Sequence, residues 1–203
     1  DHDMSAADDL ALAVHAAREA GRLAHSHFTR AQSWEHKADG SPVSAADLAV
    51  DAHLKATLAA ARPDDGWLSE ETADTADRLT RRRVWVIDPI DGTRDFIRGR
   101  TGWAVSVALV ADGEVIAAAL AAPARDALFA ASRGGGATLN GAALRVSGAQ
   151  TLEGVRLPID PPNLTAPFWP SPWPGVTVEK PNSLALRMAK LAANEADAWL
   201  EGR

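Results

Sequence analysis

Trp85-Val86-Ile87-Asp88-Pro89-Ile90-Asp91-Gly92-Thr93-Arg94-Asp95-Phe96 is the stretch from which both fold and chemistry are read. Residues 84–87 are β-branched and aromatic, which predicts a buried strand, and Asp88 falls where that strand meets a loop. The strand delivers two carboxylates, Asp88 and Asp91, around a turn in which Pro89 fixes one backbone angle. Such a turn can aim both at one cation. Carboxylates, backbone carbonyls and water suit a hard ion such as Mg²⁺, whereas zinc favours His or Cys. The chain has no cysteine, and its histidines, His2, His15, His25, His27, His36 and His53, all precede the motif without zinc spacing. If a helix starts at Gly92-Thr93, its unpaired N–H groups and dipole favour an anion, and cation plus helix start together suit a phosphate ester. With no His or Cys nucleophile nearby, the simplest chemistry is attack by metal-activated water on phosphorus, with a second metal stabilising the leaving oxygen.

Upstream, residues 5–28 repeat Leu10, Val14, Ala17, Gly21, Ala24 and Phe28 at helical spacing, behind Ser5 and Asp8 as a helix start. Lys37-Ala38-Asp39-Gly40-Ser41-Pro42 breaks regularity as a turn, and Ser44-Ala45-Ala46-Asp47 opens a second helix that Pro63 stops. Asp47 thus sits in a first helical turn. Trp67-Leu68-Ser69 reads as a short strand that brings Glu70 and Glu71 to its end.

Downstream, 103–110, 114–120 and 127–131 read as an antiparallel meander with Asp112-Gly113 as a hairpin turn, and 138–147 adds a hairpin around Asn140-Gly141. Residues 1–150 are therefore expected to form helices packed on an antiparallel sheet, the region that carries the metal site. Residues 151–203 form a smaller region: a stretch rich in Pro and Trp, a helix from 182 or 183 to about 194, and a short strand at Ala198-Trp199-Leu200.

Composition narrows the function classes. In 203 residues, 46% are apolar, enough for a real core, and the net charge of −6 comes from interspersed acids and bases. No basic patch favours direct nucleic-acid binding. The longest apolar run, 115–122, is far short of the ~20 residues of a membrane span. The start Asp1-His2-Asp3-Met4 lacks a secretory signal pattern, with Met4 read as a natural start, so the cytoplasm is the expected compartment.

Each acidic residue also has a plainer reading: Asp47 as a capping partner of Ser44, Glu70-Glu71 as a solvated pair, Asp88 as a helix cap. Their occurrence together with Gly92-Thr93 favours a site. Gly134-Gly135-Gly136 lacks the Gly-Lys-Ser/Thr ending of a P-loop and reads as a hairpin loop. His25 and His27 point in different directions on a helix, and Trp169 and Trp173 read as loop packing.

Asp88-Pro89-Ile90-Asp91-Gly92-Thr93-x-x-Phe96, preceded by Ser69-Glu70-Glu71 and by residues 39–47, resembles the inositol monophosphatase family. The similarity extends through residues 134–141 and, more weakly, 183–201. The resemblance implies an α+β to α/β fold, a layered αβαβα sandwich with its C-terminal α/β part incomplete. It implies a Mg²⁺-dependent, lithium-sensitive phosphomonoesterase. In that reading Glu70, Asp88 and the Ile90 carbonyl bind the first metal, and Asp88 and Asp91 bind the second. Thr93, hydrogen-bonded to Asp47, orients and deprotonates the attacking water with Glu70. The Gly92 and Thr93 amides hold phosphate, Glu71 assists a third, weaker ion, and Glu201 contacts a substrate hydroxyl; Lys37 sits where the family often has a lysine close to the active site, with a solvated loop lysine as the equal alternative. Family members continue into a Trp-Asp-x-Ala-Ala segment whose aspartate completes the second metal site, and the sequence ends at Arg203 before it. A second metal held by Asp88 and Asp91 alone is expected to bind weakly.

Arg94-Asp95, where inositol-specific members tend to have Thr-Asn, resembles the 3′(2′),5′-bisphosphate nucleotidase branch and points to adenosine 3′,5′-bisphosphate. Inositol 1-phosphate or histidinol phosphate is the alternative. A reading of a different class is a regulatory protein that binds the transcription machinery, as some bacterial family members do. Homodimers are common in the family.

Overall fold

In a computed structural model, residues 6–28, 34–36, 42–165, 167 and 169–201 are described. The first helix, α1 (Ala6–Phe28), buries Ala13, Ala16, Ala17, Ala20, Gly21 and Ala24. The buried stripe is thus one of small residues, and Leu10 and Val14 lie at its margin. Small residues let the helix axis approach the sheet closely: a Cβ on Gly21 would sit 3.2 Å from the Ala121 Cβ. The second helix, α2 (Ala45–Ala61), packs beside α1 and buries Ala46, Val50, Leu54 and Leu58 together with the acids Asp47 and Asp51. Two short strands, β1 (Trp34–His36) and β2 (Pro42–Ser44), pair antiparallel ahead of α2. The expected turn between them, with Lys37, lies outside the described residues.

Both helices cover one face of a sheet in which β3 (Gly66–Ser69), β4 (Arg83–Asp91), β5 (Ala104–Ala111), β6 (Glu114–Ala122), β7 (Ala127–Ser132), β8 (Gly136–Leu139) and β9 (Ala142–Ala143) follow in chain order. Within this sheet, among the described residues, only β3 and β4 run parallel, and the pairings from β4 to β9 are antiparallel, as expected of a meander. Asp112-Gly113 and Asn140-Gly141 both take positive φ at their turns, the geometry those dipeptides favour. The main core joins the inner faces of α1 and α2 to Trp85, Ile87, Val105, Val107 and Leu109.

On the other face, α4 (Leu184–Ala192) packs against β5, and Leu186 closes a second cluster with Ala104, Leu120 and Ala122. A helix layer, a mixed sheet and a further helix are thus stacked as in the expected layered α/β fold. A third cluster, Val155, Leu157, Ile159 and Leu164, lies beside a parallel pair, β10 (Arg156–Leu157) and β11 (Val176–Thr177). The strand expected at 198–200 does not form. The Asp197 and Ala198 amides both donate to the Arg156 carbonyl, and the Asp197 carboxylate takes the Arg156 amide and guanidinium. The Asp197 carboxylate therefore occupies the β10 edge that a ladder would have used, and the Arg156 guanidinium and amide hold it well below the ordinary carboxylate range. No described helix is long and apolar enough to cross a membrane.

Candidate active site

Pro89 explains how β4 presents its carboxylates. The β4–β5 register runs regularly to Asp88 and resumes at Asp91 after a shift. Proline offers no N–H to the ladder, so the strand bulges there and re-aims both acids at its C-terminal end, past the last β3 pairing. Beneath the bulge, Phe96 and Trp103 meet edge to face at 4.8 Å, and Phe28 closes on both at 5.5 and 5.3 Å. This aromatic base fixes the short helix α3 (Thr93–Ile97) directly after the motif.

Gly92 joins the two elements at φ 92°, in the left-handed region. A Cβ there would lie 2.6 Å from the Gly102 carbonyl oxygen and 2.8 Å from the Ser183 amide, so conformation and space both demand glycine. The Gly92 carbonyl accepts from Asp95 and Phe96, and the first N–H groups of α3 have no acceptor within the helix. The Thr93 hydroxyl donates to the Ile90 carbonyl at 3.0 Å. Its single proton is thus spent on Ile90 and not on Asp47, the partner expected from sequence.

Asp88 stands at the centre electrostatically. Burial raises its pKa most, the charges of Asp91, Glu70 and Asp47 and a hydrogen bond with Glu70 add to it, and the carboxyl is pushed up to about 8. Two carboxyl groups share a hydrogen bond only when one carries a proton. Asp88 Oδ1 is buried without a hydrogen-bond partner among the described residues. An orphaned buried oxygen beside three other acids is the environment a cation neutralises. The donors are all oxygen, which fits a hard ion, and Glu70, Asp88, the Ile90 carbonyl and Asp91 are the groups that could hold it.

Glu70 reaches this point because β3 is parallel to β4. Ser69 lies opposite Ile87, and the Glu70 amide donates to the Ile87 carbonyl at 3.3 Å, so the next side chain emerges beside Asp88. The Glu71 amide donates to Ser69 Oγ at 3.4 Å. Asp91 is oriented differently from the expectation of a ligand shared with Asp88: its Oδ2 accepts from Ser183 Oγ at 2.5 Å and from the Ala185 amide at 2.8 Å. It thereby caps α4, and Ser183 Oγ also accepts from the Leu186 amide. Consistent with that orientation, no three acidic or imidazole groups among the described residues already converge as a cage.

Glu201 pairs with Arg187 at 2.6 Å, while the buried Arg187 also donates to the Pro181 and Asn182 carbonyls. In this structure Glu201 is an ion-pair partner that anchors the segment leading into α4. Sequence reasoning missed Ser183, Arg187 and Asp51. Ser183 carried a cap signal before a helical run, whereas Arg187 and Asp51 had only their places on helix faces to mark them.

A model of the family described as "Inositol monophosphatase family" matches residues 6–203. Over 158 residues the chain is 44% identical to a Streptomyces griseus protein named glucose-1-phosphate thymidylyltransferase, covering 78% of this chain and 60% of that one. It is 38% identical over 141 residues to an inositol-1-monophosphatase of Mesorhizobium japonicum, covering 68% and 53%. The fold superposes on a Thermotoga maritima IMPase with a TM-score of 0.81 at 26% identity, covering 95% of this chain and 75% of that one. Other relatives carry the names histidinol-phosphatase and Nus factor SuhB. The chain spans between half and two thirds of the length of the curated relatives it matches.

Proposed function

The chain belongs to the inositol monophosphatase family, and on that footing we propose that the protein is a Mg²⁺-dependent phosphomonoesterase acting on a small phosphate ester. The observation that carries this reading is Asp88, a buried carboxyl with an unpartnered oxygen, pushed up to about 8 by burial first and then by the charges of three neighbouring acids. Glu70, Asp88 and the Ile90 carbonyl would hold one ion, and Asp88 with Asp91 another. Bound Mg²⁺ supplies positive charge for the phosphate oxygens and a water of lowered pKa.

The chain's own residues supply the rest. Glu70 receives a proton from the attacking water as the new P–O bond forms and the ester P–O bond breaks, and the leaving alkoxide takes a proton from solvent water to depart as the alcohol. Thr93 and Asp47 orient that water, which requires the Thr93 hydroxyl to turn from Ile90. The Gly92 and Thr93 amides hold phosphate at the start of α3. Asp91 acts on the second ion once its carboxylate also faces Asp88.

For the substrate, the nucleotidase reading rested on Arg94 and Asp95. The Asp95 carboxylate accepts the Asn182 amide at 3.1 Å, a structural use that accounts for the acid without a nucleotide. Arg94 remains exposed on α3 and keeps adenosine 3′,5′-bisphosphate as a second reading. The names of the relatives favour inositol 1-phosphate, with histidinol phosphate and glucose 1-phosphate beside it. The regulatory reading draws on the SuhB relatives and is compatible with an active site.

The test is phosphate release by the full-length protein with Mg²⁺ from these four esters and fructose 1,6-bisphosphate. Turnover of at least one, lost in Asp88→Asn and inhibited by lithium, is expected. Equal turnover in Asp88→Asn, or none on any ester, would overturn the reading.

A further inference from the structure

Beyond the groups that meet substrate or ion, the structure contains a buried acid whose contacts all lead to one loop. Asp51 lies one helical turn after Asp47 on α2, and its side chain is buried. Its Oδ1 accepts from Ser69 Oγ in a very short hydrogen bond, and its Oδ2 accepts from Thr72 Oγ1 at 2.5 Å. Ser69 and Thr72 are the residues on either side of Glu70-Glu71.

We propose that Asp51 is a positioning residue that straps the Glu70-Glu71 loop to α2 from both sides and so sets where the Glu70 carboxylate meets Asp88; this rests on the reading of Glu70 as an ion-binding group. The pairing of β3 with β4 ends at Ser69 and Ile87, and past it the Glu70 amide makes one 3.3 Å bond to the Ile87 carbonyl. Regular secondary structure does not resume until the short 3₁₀ turn Ala76–Thr80. Between these points the Asp51 clamp holds both flanks of the two acids. Charge-assisted hydroxyl–carboxylate bonds are among the stronger hydrogen bonds, and burial keeps water from competing for them. Because Asp47 and Asp51 share one face of one helix, the clamp also fixes the loop relative to Asp47, the residue assigned to orient water.

A loop released from its strap still carries Glu70, but the ion must then select its position from many. Occupancy by the ion becomes harder, while saturating ion restores the geometry. Thr72→Val removes one strap with little change of shape, and Asp51→Asn weakens both. Each is expected to raise the Mg²⁺ concentration for half-maximal velocity about 3- to 10-fold, with kcat at saturating Mg²⁺ within about twofold. In the Mg²⁺-free protein the amides of residues 70–72 should exchange hydrogen at least tenfold faster in Thr72→Val, with α2 amides unchanged. Calorimetry with Mg²⁺ alone should show the same weakening as the kinetics. The two effects should combine to less than their product in the double variant, because both act on one tether.

Unchanged Mg²⁺ affinity and unchanged exchange at 70–72 in Thr72→Val, with Glu70→Gln inactive, would overturn the clamp and leave the reading of Glu70 standing. Full activity and unchanged Mg²⁺ binding in Glu70→Gln would instead remove the premise. Equal losses of kcat and of α2 protection in Thr72→Val would show a fold-wide defect and likewise count against the clamp. Should Asp51→Asn fail to fold, Thr72→Val alone decides.

Discussion

Asp88→Asn should make the Mg²⁺-free protein more stable near neutral pH, the reverse of what loss of a buried polar interaction normally does. Burial and the charges of Asp91, Glu70 and Asp47 push Asp88 up to about 8 from an ordinary value of 3.8. The folded state therefore holds a proton that the unfolded chain has released. Stability from this group is complete below pH 3.8 and is lost as pH rises through about 8. The steepest slope is about 1.4 kcal/mol per pH unit, which by pH 7 sums to roughly 4 kcal/mol if Asp88 titrates alone and roughly half that if its neighbours share the proton. Asparagine reproduces the shape, offers Glu70 a permanent donor and does not titrate. Urea denaturation with EDTA at pH 4.5, 6 and 8 should show the variant gaining on the parent as pH rises, by roughly 2–4 kcal/mol at pH 7. Mg²⁺ should narrow the gap by stabilising only the parent. Parallel stability profiles from pH 4.5 to 8 would refute the assignment of a buried, proton-holding Asp88.

Three further substitutions probe the frame of the site. Gly92→Ala should cost roughly 2–4 kcal/mol in urea denaturation, because a Cβ would meet the Gly102 carbonyl oxygen at 2.6 Å with φ at 92°; a loss under about 0.5 kcal/mol would contradict that geometry. Arg83→Met should cost roughly 2 kcal/mol, since Arg83 bridges Asp9 at 2.8 Å and Asp65 at 3.0 Å and its removal leaves the buried Asp9 with the longer 3.7 Å pairing to Arg62; calorimetric melting checks this, and an unchanged Tm would refute it. Ser183→Ala should cost about 1 kcal/mol by removing the α4 cap and its bond to Asp91, with amide exchange in the first turn of α4 rising in step; exchange unchanged there would show that Ser183 is not the cap.

Much of this frame was legible because local chemistry and tertiary packing agree over 83–97. Residues 84–87 had β-propensity and burial, so the strand had a local cause, whereas it runs on past Asp88, where a loop was expected, through a register shift at Pro89 to Asp91. The Asp-Gly and Asn-Gly turns were equally local. The α1 stripe was harder to assign, because alanine serves either face and proximity to β6 decided that Ala13, Ala16 and Ala20 go inward.

What stayed hidden were choices between competing partners. Asp91 can bind an ion or cap α4, and the cap depends on Ser183, far along the chain. Glu201 can meet a substrate hydroxyl or a guanidinium, and Arg187 is within reach in three dimensions only. Residues 198–200 had the apolar pattern of a strand, yet the Asp197–Arg156 pair takes the edge they would have joined. Asp51 looked like any helix acid until the fold set Ser69 and Thr72 on its two oxygens.

On the proposed reading, the acids around Asp88 hold Mg²⁺ in exchange for a proton. That exchange is tested most directly by titrating the full-length protein with Mg²⁺ at pH 7 in two buffers of different ionisation enthalpy. Binding should release close to one proton per protein and should be lost in Asp88→Asn. Binding of equal strength in Asp88→Asn, or binding that releases no proton, would contradict it.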